Sequence, residues 1–193
     1  MVYMAEIKLE NAALVVIDMQ KGIASSDRKL EPYDVKTVIK NVTALVEKFR
    51  SKNLSVFLVH VAGTDGKDML NPITEEEQKW NRQMPPDWAD FIDGIETGKE
   101  IVITKRQWGA FHGTELDLQL RRRKIDTVVL CGISTNIGVE TTAREAYQHG
   151  YNQIFVVDAM SAMSKEEHDN SVKYIFPRIG LIRTTEQLLS MIR

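Results

Sequence analysis

The chain has 193 residues, 43% hydrophobic and 27% charged, which fits one soluble domain with a sizeable core. A formal net charge of −2 gives a nucleic-acid role no electrostatic support, and no apolar run approaches the ~20 residues needed to cross a bilayer. A single cysteine, Cys131, allows no internal disulfide, and MVYMAEIKLE lacks the basic-then-apolar order of a signal peptide; a reducing cytoplasm is the expected setting.

Residues 12 to 19, AALVVIDM, read as a strand buried on both faces, because the run is short, continuous and rich in Val and Ile. Residues 34 to 52 place Val35, Val38, Ile39, Val42, Leu45, Val46 and Phe49 at three- and four-residue spacing, the pattern of an amphipathic helix. SVFLVHV at 55 to 61 is a second buried strand. Residues 62 to 99 break the rhythm with Gly63, Gly66, Pro72, Pro85, Pro86, Gly94 and Gly98. This long connection carries Trp80 and Trp88 and one expected short helix near TEEEQKWNRQ, and connections of such length are often lids or binding loops.

The alternation then resumes: a strand at 100 to 105, a helix at 113 to 124, a strand at 127 to 133, and a helix NIGVETTAREAYQH stopped by Gly150. A strand at 152 to 160 follows, then a helix SKEEHDNSVKYIF with Ser164 and Glu167 as a capping box, a short strand GLIRT and a last helix TEQLLSMIR. The basic run Arg121 to Lys124 sits at a helix end, where it complements the dipole. Repeated strand–helix alternation predicts a parallel sheet with helices on both faces, and in such sheets ligands bind beyond the carboxyl ends of the strands.

Four features fall at those ends. Asp18 interrupts the apolar run VVIDMQ, Lys105 ends VITK, the turn GISTNIG follows VVLC, and Asp158 ends VVD. If the strand order brings the first, third and fourth strands together, Asp18, Lys105 and Gly138 converge. Each has a plainer use: Asp18 as a turn cap, Lys105 as a solvated strand end, Asp158 as a structural turn residue. The GISTNIG turn resembles a mount for a nucleophile, a sharp strand-to-helix turn whose N–H groups can hold developing negative charge, yet it has no thiol or hydroxyl at Gly138.

ALVVIDMQ, ITKRQWGAFHGTEL and LCGISTNIGVETTAREA, in this order and at these distances, resemble the isochorismatase-like hydrolases, a superfamily that also contains nicotinamidases and N-carbamoyl amidohydrolases. The resemblance spans residues 11 to 190 and implies a three-layer α/β/α fold with a six-stranded, mostly parallel sheet. Most of the superfamily uses an Asp, a Lys and a Cys; carried over, these are Asp18, Lys105 and, at the Cys position, Gly138. The resemblance also implies a cis peptide between Ile133 and Ser134, and an oxyanion hole of N–H groups around Ser134 and Gly138. Family members self-associate, so a homodimer or homotetramer is expected.

Glycine forms no acyl intermediate, so thioester chemistry on amides is not expected. Cys131 lies inside a strand, seven residues earlier, and reads as a small core residue. Isochorismatases also carry glycine at this position. They hydrolyse a vinyl ether, and Asp18 is the expected acid, with Lys105 binding a substrate carboxylate or tuning Asp18. Burial would raise the Asp18 pKa and Lys105 would lower it, and the sequence leaves that balance open. Isochorismatases resemble G-V-Y-A-H-I-G in this turn, where the chain has Ser134 for Tyr and Asn136 for His, so the turn mixes an amidase-like S-T-N with the isochorismatase glycine. Two other readings stand beside this one: a non-catalytic binder of a small molecule or a protein, and an amidase using activated water.

Nicotinamidases hold a metal through an Asp-x-His pair and a second His, and His60 in HVAGTDGKD has no such partner, so neither metal nor other cofactor is expected. The partner is a small-molecule substrate. Gln20, Trp80, Trp88, Trp108 and Phe111 are candidates to line its pocket, and Arg82 and Arg106 to clamp its carboxylate.

Overall fold

A computed structural model describes residues 9–25, 27–75, 84–95 and 98–192. Six strands form one sheet: β1 (Ala12–Ile17), β2 (Ser55–Val61), β3 (Ile101–Lys105), β4 (Thr127–Ile133), β5 (Asn152–Ser161) and β6 (Leu181–Arg183). The order is β3-β2-β1-β4-β5-β6, and all five pairings are parallel. The helices are α1 (Val35–Ser51), α2 (Leu116–Arg122), α3 (Glu140–Gln148), α4 (Lys165–Asn170), α5 (Phe176–Ile179) and α6 (Thr185–Met191).

Both faces of the sheet are covered, and the residues of β1 divide between them. Ala12, Leu14 and Val16 pack with the apolar stripe of α1, Val35 to Phe49, and with Leu188 of α6. Ala13, Val15 and Ile17 pack with Leu116 and Leu120 of α2, Ala143 and Ala146 of α3, and Phe176 of α5. This is the expected three-layer α/β/α arrangement, and it explains why β1 reads as a continuous apolar run.

Strand order runs outward from β1 to β3 on one side and from β4 to β6 on the other. The strand order therefore reverses between β1 and β4, the switch point at whose carboxyl edge sheets of this kind bind ligands. Gly132 permits that closeness: it has φ 115°, and a Cβ on it would lie 2.0 Å from the Ile17 carbonyl oxygen.

Some boundaries differ from the sequence reading. β1 stops at Ile17 because Asp18 turns into the left-handed region, φ 51°. α2 starts later than 113 because Gly113, at φ 66°, and Thr114, whose hydroxyl accepts from Leu116 N, form a turn first. The helix after β5 runs on to Ile179, widened into a π turn over Ser171–Ile175 just ahead of Pro177, which has no N–H for the ladder. The Ser164–Glu167 capping box is present. The short helix expected near TEEEQKWNRQ lies almost wholly outside the described residues.

Candidate active site

Asp18 sits at the head of β1, beside the switch point. Its left-handed backbone, uncommon for a residue with a Cβ, is held by its own N–H donating to the Val59 carbonyl at 2.9 Å. The side chain is buried, with 5% of the residue exposed. Oδ2 accepts from Lys105 Nζ at 2.8 Å. Oδ1 is also buried and has no hydrogen-bond partner among the described residues.

Lys105 comes from further away than the simple convergence argument supposes. β3 is not next to β1; β2 lies between them. The long lysine side chain crosses the end of β2 to reach Asp18 and is 2% exposed. Its ammonium donates to Asp18 Oδ2, to the Gln107 carbonyl at 3.2 Å and to the Trp108 carbonyl at 2.9 Å. An ammonium has three N–H donors, so none is left for a substrate carboxylate. The structure thus favours the tuning use of Lys105 over the carboxylate-binding one.

The balance left open by the sequence has a direction here. Burial raises the Asp18 pKa above its ordinary value and outweighs the opposing effects of the Lys105 charge, the Lys105 hydrogen bond and His60. The carboxyl at the head of β1 holds its proton more tightly than a solvated one.

The third member of the constellation is Gly138, packed directly against the pair. The turn leaves β4 through a cis Ile133–Ser134 peptide and enters a π turn, Thr135–Val139, before α3. Ser134 O accepts from both Ile137 N and Val139 N at 3.2 Å. A Cβ on Gly138 would lie 2.9 Å from Ile17 Cγ2, 3.0 Å from Asp18 Oδ2 and 3.6 Å from Lys105 Nζ. Any side chain at 138 would point into the Asp18–Lys105 pair. Thr135, fully buried, bonds His168 Nδ1 at 2.9 Å and ties the turn to α4. Asn136 Oδ1 is buried without a partner among the described residues.

Other candidates fall differently. Gln20 does not present its amide to a ligand. Its Nε2 donates to the Val61 and Trp88 carbonyls at 3.1 and 3.2 Å, and its Oε1 accepts from Val61 N at 2.9 Å. It acts as a piece of backbone, pinning β2 and the returning segment 88–92 to the end of β1. Trp88 lies on Gly22, where a Cβ would meet its indole at 2.0 Å. Phe111 is a core residue, 5% exposed, with ring centroids 5.1 Å from His149 and 5.7 Å from Tyr151. Trp108 contributes its carbonyl to Lys105, while the residue is 56% exposed. Arg106 pairs with Asp68 at 2.8 Å, and Thr64 N–H together with Arg106 holds that carboxyl at a pKa of about 2. Trp80 and Arg82 lie outside the described residues. Asp158 Oδ1 accepts from both the N–H and the hydroxyl of Thr185, a structural use.

Cys131 is completely buried in β4, and burial pushes its thiol pKa far up. His60 bonds the Ala89 carbonyl and Thr104 Oγ1, and no group of three metal-ligating side chains occurs among the described residues. Nor is any described helix long and apolar enough to cross a membrane.

The site is thus a buried Asp–Lys pair facing a strand-to-helix turn at the switch point of a parallel three-layer α/β sheet. Residues 12–187 match the isochorismatase domain family, and the chain belongs to that family. It is 52% identical to the isochorismatase family protein YwoC of Bacillus subtilis over 190 residues, 97% of each chain. It is 28% identical to a probable isochorismatase of Pseudomonas chlororaphis, covering 93% of this chain and 86% of that protein. The structure of an isochorismatase family protein from Burkholderia thailandensis superposes with a TM-score of 0.90 at 38% identity, covering 95% of this chain and 96% of the other.

Proposed function

We propose that this chain is a hydrolase that cleaves a small anionic vinyl ether of the isochorismate type by general acid catalysis, with no covalent intermediate. The observation that carries the proposal is the state of Asp18: buried, raised in pKa, with Oδ1 lacking a partner among the described residues, and facing a glycine that offers no nucleophile.

Lys105 fixes which oxygen holds the proton. Its ammonium donates to Oδ2, so the acidic hydrogen belongs on Oδ1. That hydrogen passes to the terminal enol carbon, and the double-bond electrons form the new C–H bond. The adjacent carbon becomes an oxocarbenium centre. Water adds there and returns a proton to Asp18, and the hemiketal then collapses with cleavage of the ether C–O bond. The products are pyruvate and the alcohol, and the acid is regenerated. N–H groups around Ser134 and Gly138 would face charge on the substrate. No step needs a thiol, which accords with glycine at 138 and with a cysteine locked in the core.

The test is pyruvate release from isochorismate by the purified protein beside its Asp18→Asn variant. Release that the variant loses supports the proposal. No release from either protein removes isochorismate as the substrate.

A further inference from the structure

Two of the three partners of the Lys105 ammonium are backbone carbonyls, Gln107 O and Trp108 O, in a segment with no regular structure. Such a segment holds a cation in place only if something holds the segment, and what holds it comes from α3. Thr142 is fully buried; its hydroxyl accepts from Ala110 N at 3.1 Å and donates to Gly138 O at 2.7 Å. Three residues on, and so on the same helix face, Glu145 Oε2 accepts from Phe111 N at 2.9 Å. Gly109 makes this approach possible, since a Cβ there would lie 2.3 Å from the Glu145 carboxylate.

We infer that Thr142 and Glu145 are positioning residues for the Asp18–Lys105 pair: they clamp segment 107–111 to the helix that follows Gly138, so that one continuous element holds both the Gly138 turn and the shell of the lysine. A single hydroxyl, that of Thr142, links the two sides. Through it the Gly138 carbonyl and the segment that docks Lys105 share one hydrogen-bond path. This accounts for two stretches of the sequence that no reacting group explains, QWGAF and the T-x-x-E of TTARE.

The inference rests on the proposed acid role of Asp18, and its test reads the pair without turnover. The groups whose charge acts on Asp18 are Lys105 from β3 and His60 from β2; Gly138, facing it from the turn, brings none. The Asp18 carboxyl carbon is followed by NMR titration, assigned by its loss in Asp18→Asn, in the wild type, Thr142→Val, Thr142→Ser and Glu145→Ala. Valine keeps the shape of threonine and removes both hydrogen bonds. With segment 107–111 loosened, Lys105 is held less firmly on Oδ2 and its lowering effect weakens. The Asp18 midpoint should therefore move up in Thr142→Val and Glu145→Ala, and return to the wild-type value in Thr142→Ser. A midpoint unchanged or lowered in folded Thr142→Val and Glu145→Ala overturns the inference.

Turnover gives a second reading. Where the wild type releases pyruvate, Thr142→Val should lose about tenfold or more in kcat with KM little changed. Equal kcat in the two proteins counts against the clamp. Absence of release from the wild type counts only against the isochorismate proposal, and the titration still decides the positioning role.

Discussion

Replacing Asp18 with Asn tests the buried acid through stability alone, with no substrate needed. Asp18 is 5% exposed, and burial outweighs Lys105 and His60 in setting its pKa above the ordinary value. The sign follows from linkage. In the unfolded chain the group titrates near pH ~3.9, and in the folded protein it titrates higher, so the folded state binds the proton more tightly. Asp18 therefore contributes stability that is fully present below about pH 4 and is lost as pH rises through the folded pKa. Each unit of upward shift is worth about 1.4 kcal/mol. Asn cannot titrate and lacks this dependence, while its amide oxygen can still accept from Lys105. The assay is urea denaturation of both proteins from about pH 4 to about pH 8, with the difference in unfolding free energy plotted against pH. The wild-type advantage should be greatest at the acid end, fall with pH and then level off. A wild-type advantage that grows with pH would mean that Lys105 holds the carboxylate ionised, and it would refute the buried-acid argument.

Gly138→Cys restores a side chain to the turn, but its Cβ would sit 2.9 Å from Ile17 Cγ2 and 3.0 Å from Asp18 Oδ2. Overpacking should cost about 1 to 3 kcal/mol in denaturation and block pyruvate release; amidase activity in this variant would show that the rest of an amidase site is intact. Gly132→Ala should be far worse, because the Cβ meets the Ile17 carbonyl oxygen at 2.0 Å in a left-handed backbone; loss of soluble protein on expression is the expected outcome. Cys131 should resist thiol reagents in the native state and react fully in denaturant, and native labelling at the denatured rate would contradict its burial. Activity should survive dialysis against a chelator, and its loss, recovered by added metal, would overturn the cofactor-free expectation.

Much of this arrangement was legible in the chain because buried parallel strands have a distinctive sequence. A carboxylate inside VVIDMQ has few uses, and Asp18 stood out for that reason. What the pattern did not carry was geometry between distant segments. Nothing local shows that β2 separates β1 from β3, or that Lys105 spans the gap with its full length. Gln20 and Phe111, candidates for the pocket wall, have other surroundings. The Gln20 amide completes backbone pairing and the Phe111 ring turns into the core, contacts with distant segments that neither residue's own neighbourhood encodes. Thr142 and Glu145 carried a weak signal, two polar residues three apart on a helix that is otherwise buried through Ala143 and Ala146. Their targets are N–H groups some thirty residues away, which side-chain periodicity does not encode.

The empty position at 138 and the raised pKa at 18 form one argument on the proposed reading. A cysteine at 138 would place its sulfur beside the Asp18 carboxyl, within reach of a Cβ that already lies 3.0 Å from Oδ2. The carboxylate would then serve as a base, drawing the thiol proton, and it would have to be ionised beforehand. With glycine there is no thiol to deprotonate, and the same burial that would hinder a base suits an acid. Lys105 has the same bond to make in both cases, so it can be retained unchanged while the chemistry reverses. The pH–rate profile separates these roles. An acid gives kcat/KM that falls as pH rises through the Asp18 pKa, and a base gives a rise over the same range. Asp18→Asn should abolish the falling limb with the activity. A rising limb that tracks Asp18 would assign it as the base and remove vinyl ether protonation from consideration.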